Sequence, residues 1–112
     1  MKCLGVESTA HTFSCAVLER KGKRGEILSD VRKIYGPPDG EGIHPREASR
    51  HHVENSTIAL VEALQKANVS VTDLDIISYA AGPGLGPCLR VGAVVSRALA
   101  SYYGIPVFPV NH

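Results

Sequence analysis

The stretch that most limits how this chain can fold runs from Ile76 to Tyr102. An apolar run, Ile76-Ile77-Ser78-Tyr79-Ala80-Ala81, leads directly into Gly82-Pro83-Gly84-Leu85-Gly86-Pro87. Behind that turn, Val91, Val94, Val95, Ala98, Leu99 and Tyr102 recur at the spacing of one helix face. A buried strand, a glycine-rich turn and a helix together form the layout of an anion or nucleotide cradle. Glycine lets the backbone approach a ligand, and the first N–H groups of the helix have no partner of their own. Neither the P-loop pattern, with its Lys-Ser/Thr, nor GxGxxG is present. On local chemistry alone the turn serves equally well as a tight strand-to-helix connection.

The 112 residues allow at most one domain with a buried core. A net charge of +1 sets up no global field toward nucleic acid, so any such contact must be local. The N-terminus lacks the apolar core of a signal peptide, no apolar run reaches membrane-spanning length, and a cytoplasmic location without membrane contact is expected. Cys3, Cys15 and Cys88 form no CxxC pair and read as buried free thiols.

Residues 2–8 and 13–19 have the pattern of strands, with Thr9-Ala10-His11-Thr12 between them short enough for a hairpin. The basic turn Lys21-Gly22-Lys23-Arg24-Gly25 leads to a third strand over 26–35. Its cations, with Arg20, read first as a solvated turn and second as a backbone contact for RNA. Gly36 to Gly42 is a Pro- and Gly-rich loop. Pro45 opens a helix that runs to about Ala67, with Val53, Thr57, Leu60, Val61, Leu64 and Ala67 on its apolar face and Asn68 as a left-handed stop. A strand over 75–81, the glycine turn, a helix ending at Gly104 and a strand over 105–110 complete the order βββαβαβ. Strands joined through helices pair in parallel with right-handed crossovers. The expected fold is α/β with a mixed sheet, the ribonuclease H-like arrangement found in each lobe of actin-like ATPases. Ligands in such folds sit beyond the carboxyl ends of the strands, which gathers Glu7–Thr9, Gly82–Gly86 and Asn111-His112 into one region.

With these pieces placed, the chain resembles the tRNA threonylcarbamoyl-adenosine synthase family, to which bacterial TsaD and the large catalytic KEOPS subunit belong. The matching stretches are Leu4 to Ala10, Gly42 to Ala48, His51 to Glu54, Gly82 to Gly92 and Pro109 to His112. The style of Pro37-Pro38 and His44 to Ala48 is that of the archaeal and eukaryotic branch. Ser8 stands where the family usually has glycine or threonine, and Cys88 where it usually has serine.

The resemblance implies a transferase that moves threonylcarbamoyl from threonylcarbamoyl-AMP to the adenosine beside the anticodon of ANN-decoding tRNAs. It implies one divalent metal, iron or zinc, and a bound nucleotide (threonylcarbamoyl-AMP or ATP). Residues 1–112 would be one N-terminal ribonuclease H-like subdomain, stopping at the first histidine of the family's HxxxH metal motif, His112, and inactive alone. Glu7 is then the catalytic candidate; Ser8, Thr9, His11, Gly82, Gly84 and Gly86 are the nucleotide or phosphate candidates; His112 is a metal ligand. The KEOPS branch further implies a small dimerising subunit on the helices near 45–67 and 86–103, where Ala59, Ala63 and Ala100 would permit close approach, and a kinase-like ATPase subunit elsewhere. His51 and His52 diverge by about 100° on a helix. They are therefore expected to form no metal pair, one packing inward and the other solvated. Cys88, at a helix start, is a candidate for a lowered pKa or a packed thiol. Arg90 reaches an anion or caps an acidic neighbour. The rival from another class is a non-catalytic binding module that keeps the partner surface. A metalloprotease lacks the HExxH glutamate.

Overall fold

The computed structural model describes residues 1–37 and 39–111. Strands β1 (Lys2–Glu7), β2 (Thr12–Lys21) and β3 (Arg24–Ile34) form the expected antiparallel meander. Helix α1 (Pro45–Ala67), strand β4 (Ile76–Gly82), helix α2 (Gly86–Tyr103) and strand β5 (Val107–Asn111) follow. β1 pairs in parallel with β4, and β4 with β5, giving one sheet in the order β3-β2-β1-β4-β5. A one-turn helix at Val71–Asp73, closed by a Ser70–Asp73 capping box, was not foreseen; three residues are too few to show a period.

Local chemistry sets the helix ends. Pro45 occupies the first turn of α1, where its missing N–H is harmless. Asn68 ends that helix in the left-handed region at φ 55°, its N–H on the Gln65 carbonyl. Gly104 ends α2 in the same way at φ 66°.

The two helices pack on one face of the sheet and on each other. Leu4 and Val6 of β1, Phe13, Cys15 and Val17 of β2, and Ile77 and Tyr79 of β4 point into that layer and are buried. Cys3, Gly5, Ser14, Ala16 and Ser78 lie on the opposite face and are half-buried.

The helices bury a stripe shifted from the one their apolar spacing predicts: of the predicted faces, Leu60, Leu64, Ala67, Val91 and Leu99 do pack on the core. In α1, Val53, Thr57 and Val61 are exposed, while Ala48, His52, Ser56, Ala59, Ala63 and Leu64 are buried. In α2, Val94, Ala98 and Tyr102 are exposed, while Cys88, Gly92, Ser96 and Ala100 are buried. Small side chains decide the orientation, because they let each helix axis sit close to the strands. Ser29 of β3 donates to the Ala63 carbonyl at 2.7 Å, a contact that a larger residue at 63 would push apart. Ala59, Ala63 and Ala100 thus serve close approach to the sheet and are not available to a partner, contrary to their expected role.

Pro109 sits in β5 at an edge of the sheet. Ile77 donates to the Pro106 carbonyl at 2.9 Å, so residues 107 and 109 turn their main-chain groups to the free edge. No helix among the described residues is long and apolar enough to cross a membrane.

Candidate functional site

β1 and β4 run side by side, with Val6 opposite Tyr79, so their carboxyl ends finish together. Glu7 and the turn 8–11 lie at the first end, and Gly82 to Gly86 at the second. Asn111 stands opposite Gly82 in the β4–β5 pairing, which brings the third predicted polar cluster alongside. His112 lies outside the described residues.

The two loops are fastened together by specific bonds. The Leu85 N–H donates to the Thr9 carbonyl at 2.7 Å. Gly84 packs so closely on Thr9 that a Cβ there would overlap the Thr9 carbonyl oxygen and lie 2.9 Å from its Cβ. Glycine is required at 84 by backbone contact. At Gly82 it is required by a φ of +149°. Gly86 has no such constraint: nothing lies within 4 Å of where its Cβ would be, so the space above the start of α2 is open. Neither a side-chain cap nor an acidic residue occupies that first turn. The helix therefore presents its positive end there.

The predicted side chains divide into two groups. Glu7 takes hydrogen bonds from the Thr9 hydroxyl and, at 3.4 Å, the Thr9 N–H. It lies on the sheet face away from the helices, and His11 is exposed at the tip. Ser8 is directed inward, 1% exposed. Its hydroxyl donates to the Cys88 carbonyl at 2.7 Å and accepts from the Gly92 N–H at 3.1 Å, bridging one rung of α2. Ser8 accordingly anchors the helix that carries the cradle. Gly92 admits this hydroxyl, since a Cβ there would lie 2.5 Å from the Ser8 oxygen.

Cys88 is fully buried, and burial pushes its thiol pKa up, so the packed-thiol alternative holds and thiolate chemistry does not. Cys15 is pushed up to about 12 by the same cause. In a thiol titration with an aromatic disulfide, the half-buried Cys3 should react first. Cys15 and Cys88 should react only on unfolding; fast labelling of Cys88 in the native protein would refute its burial. Arg90 lies exposed along a hollow between the helices with Ser49, Val53, Pro87 and Val94.

One residue of the site is not legible as such from sequence. His52 is fully buried, its Nε2 2.7 Å from the Ala10 carbonyl and its Nδ1 3.1 Å from the Nδ1 of His51. One histidine does pack inward as expected, but the other is half-buried against Tyr35 and the two rings meet. The signal was the small-residue stripe Ala48, Ser56, Ala59 and Ala63, which includes position 52 and marks the face turned to the sheet. Among the described residues, no three His, Cys, Asp or Glu side chains converge to hold a metal ion. The donors described are thus insufficient for one.

Comparison with known proteins settles the family. A profile of the TsaD family, described as tRNA N6-adenosine threonylcarbamoyltransferase, matches residues 26–112. The chain belongs to this family. Curated relatives of the same description include those of Pyrobaculum islandicum, 52% identical over 112 residues, and Hyperthermus butylicus, 50% identical over 109. These alignments cover 100% and 97% of this chain but only 32% and 29% of the relatives, so the chain spans about a third of their length. Among solved structures, YeaZ from Pseudomonas aeruginosa superposes with a TM-score of 0.74 at 19% identity, over 99% of this chain and 45% of that one. RuvC of Thermus thermophilus gives 0.62 at 12%, over 100% of this chain and 66% of that one. At such identities the likeness concerns fold, and it bears out the ribonuclease H-like assignment.

Proposed function

We propose that this chain forms the N-terminal part of a tRNA N6-adenosine threonylcarbamoyltransferase and supplies its phosphate-facing cradle. The reading rests on family membership. The observation that carries it locally is the junction of the 8–11 turn with Gly82–Gly86 beneath an open, uncapped helix start. In this reading the turn and the α2 N-terminus receive the phosphate of threonylcarbamoyl-AMP or ATP. Gly82, Gly84 and Gly86 shape the approach, Thr9 and His11 line it, and Ser8 holds α2 in place. Glu7, hydrogen-bonded by Thr9, is the catalytic candidate in this reading, its carboxylate accepting a proton or orienting the reacting amine of the adenosine. A divalent ion, iron or zinc, with His112 among its ligands, belongs to the same reading and draws its other donors from elsewhere in the full-length protein. A cytoplasmic location suits a tRNA substrate.

The partner proposal follows from the outer faces of the helices. The seam between α1 and α2 holds two apolar hollows of about 420 and 380 Å³. Val53, Leu60, Val94, Leu99 and Tyr102 are among the residues along them. This is the surface on which the small dimerising KEOPS subunit would dock, with the kinase-like ATPase subunit elsewhere. An alternative of a non-catalytic binding module would keep this seam and lose the need for the cradle.

The test uses full-length protein with threonylcarbamoyl-AMP and an ANN-decoding tRNA. Modified adenosine should form, and Glu7→Gln should lower turnover on the order of 10²-fold with the fold retained. An unchanged rate for Glu7→Gln would remove Glu7 from the chemistry. Absence of transfer by the intact full-length protein, with seam binding preserved, would favour the binding module.

A further inference from the structure

The 9–11 turn is held by its carbonyls, each by a different element. Thr9 accepts from Leu85 at the start of α2, at 2.7 Å; His11 accepts from the N–H of Tyr35 after β3, at 2.7 Å. Ala10, between them, faces the imidazole of His52 on α1 at 2.7 Å. Two of these three fastenings are main-chain bonds, donated by backbone amides. The third depends on one side chain. A carbonyl only accepts, so His52 must donate through Nε2–H. Neutral His52 then has a bare Nδ1, which accepts from Nδ1–H of His51. His51 itself is packed edge-on to Tyr35, whose hydroxyl donates to Glu47 at 3.0 Å.

We propose that His52 is the positioning residue of the site: its Nε2–H fixes the Ala10 carbonyl, and with it the turn next to Glu7, while His51 selects the tautomer able to do so. The ring is wedged against Phe13 at a centroid distance of 5.9 Å, so its donor cannot swing away without disturbing β2. The role in ligand binding rests on the phosphate-facing reading above; the role in fixing the turn does not.

Amide hydrogen exchange on the full-length protein at pH 7.5 separates the two. Leu85 and Tyr35 are the reporters, because their amides bond the carbonyls on either side of Ala10. His52→Gln keeps an N–H donor at similar reach and should leave both amides within about 3-fold of the wild-type exchange rate, whereas His52→Met should speed both by about 10-fold or more. Amides at the far end of the helices, such as Ile105, should not move. Equal acceleration by Gln and Met, or none by Met, overturns the proposal. Should the Met variant not fold, ¹⁵N spectra of the wild-type imidazoles decide alone. His52 must carry its proton on Nε2 with Nδ1 bare; the opposite tautomer is incompatible with the assignment. ATP is then the binding probe. His52→Met should weaken it about 10-fold with rescue by Gln, following the lost preorganisation. If wild-type protein ignores ATP while the exchange pattern holds, the phosphate reading fails and the positioning of the turn stands.

Discussion

Gly84→Ala is expected to destabilise the protein by about 3 kcal/mol, at the upper end of what overpacking a tight site costs. The added methyl would press on the carbonyl and Cβ of Thr9, which belong to or adjoin the backbone and cannot yield as the far end of a flexible side chain would. Relief requires breaking the Leu85–Thr9 bond, so the junction of the two loops should open as stability falls. Gly92→Ala makes the informative contrast. There the obstacle is the Ser8 hydroxyl, so deleting it should recover much of the loss: Ser8→Ala combined with Gly92→Ala should be less harmful than the sum of the two. Gly84→Ala should show no such recovery with Ser8→Ala. Urea titrations of the three single and two double variants measure both cycles. Additive costs at 92 and 8 would mean that the hydroxyl does not occupy the position described.

The second large effect is a loss of stability on acidification. Burial lowers the pKa of His52 from its ordinary 6.5, and the neighbouring His51 and His11 push the same way. The Ala10 carbonyl and Glu7 partly oppose them. Burial lowers His51 as well, against the pull of Glu54. With the folded pKa depressed, the unfolded chain takes up protons first as pH falls through about 6.5. These histidines therefore contribute stability that is fully present above that pH and declines below it, until the folded protein also protonates. His52→Gln should flatten this decline while leaving the neutral-pH fold intact, as comparison of denaturation at pH 7.5 and 5 would show. An unaltered pH slope in the variant would mean that another group controls acid sensitivity.

What was legible in the sequence follows from the kinds of signal it carries. Element order and helix ends were written in Pro45, Asn68, Gly104 and the glycine turn, because those residues constrain the backbone directly. The convergence of Glu7, Gly82 and Asn111 followed from topology alone. The buried faces of the helices did not, since Val53, Val94 and Tyr102 are apolar and yet exposed. Periodicity marks where apolar residues recur, and here they recur both toward the sheet and along an outer seam. Steric fit broke the tie in favour of alanine, serine and glycine. Ser8 was open for a related reason: a hydroxyl at a strand end suits an anion and a helix rung equally well, and its bond from the Gly92 N–H could not be read from the sequence. His52 had no pattern of its own, because its partner is a main-chain carbonyl 42 residues away.

Pro109 has a bearing on how copies or partners can meet. Along the outer border of β5 its nitrogen carries no hydrogen, so a foreign strand aligning there would find a gap in the row of donors. The opposite border, β3, is studded with Arg24, Glu26, Asp30, Arg32 and Lys33, whose charges a docking strand would have to accommodate. Both rims of the sheet thus discourage growth by strand addition. A contact made on the seam between α1 and α2 would rest instead on side-chain packing, with selectivity set by shape and not by a backbone ladder open to any extended peptide.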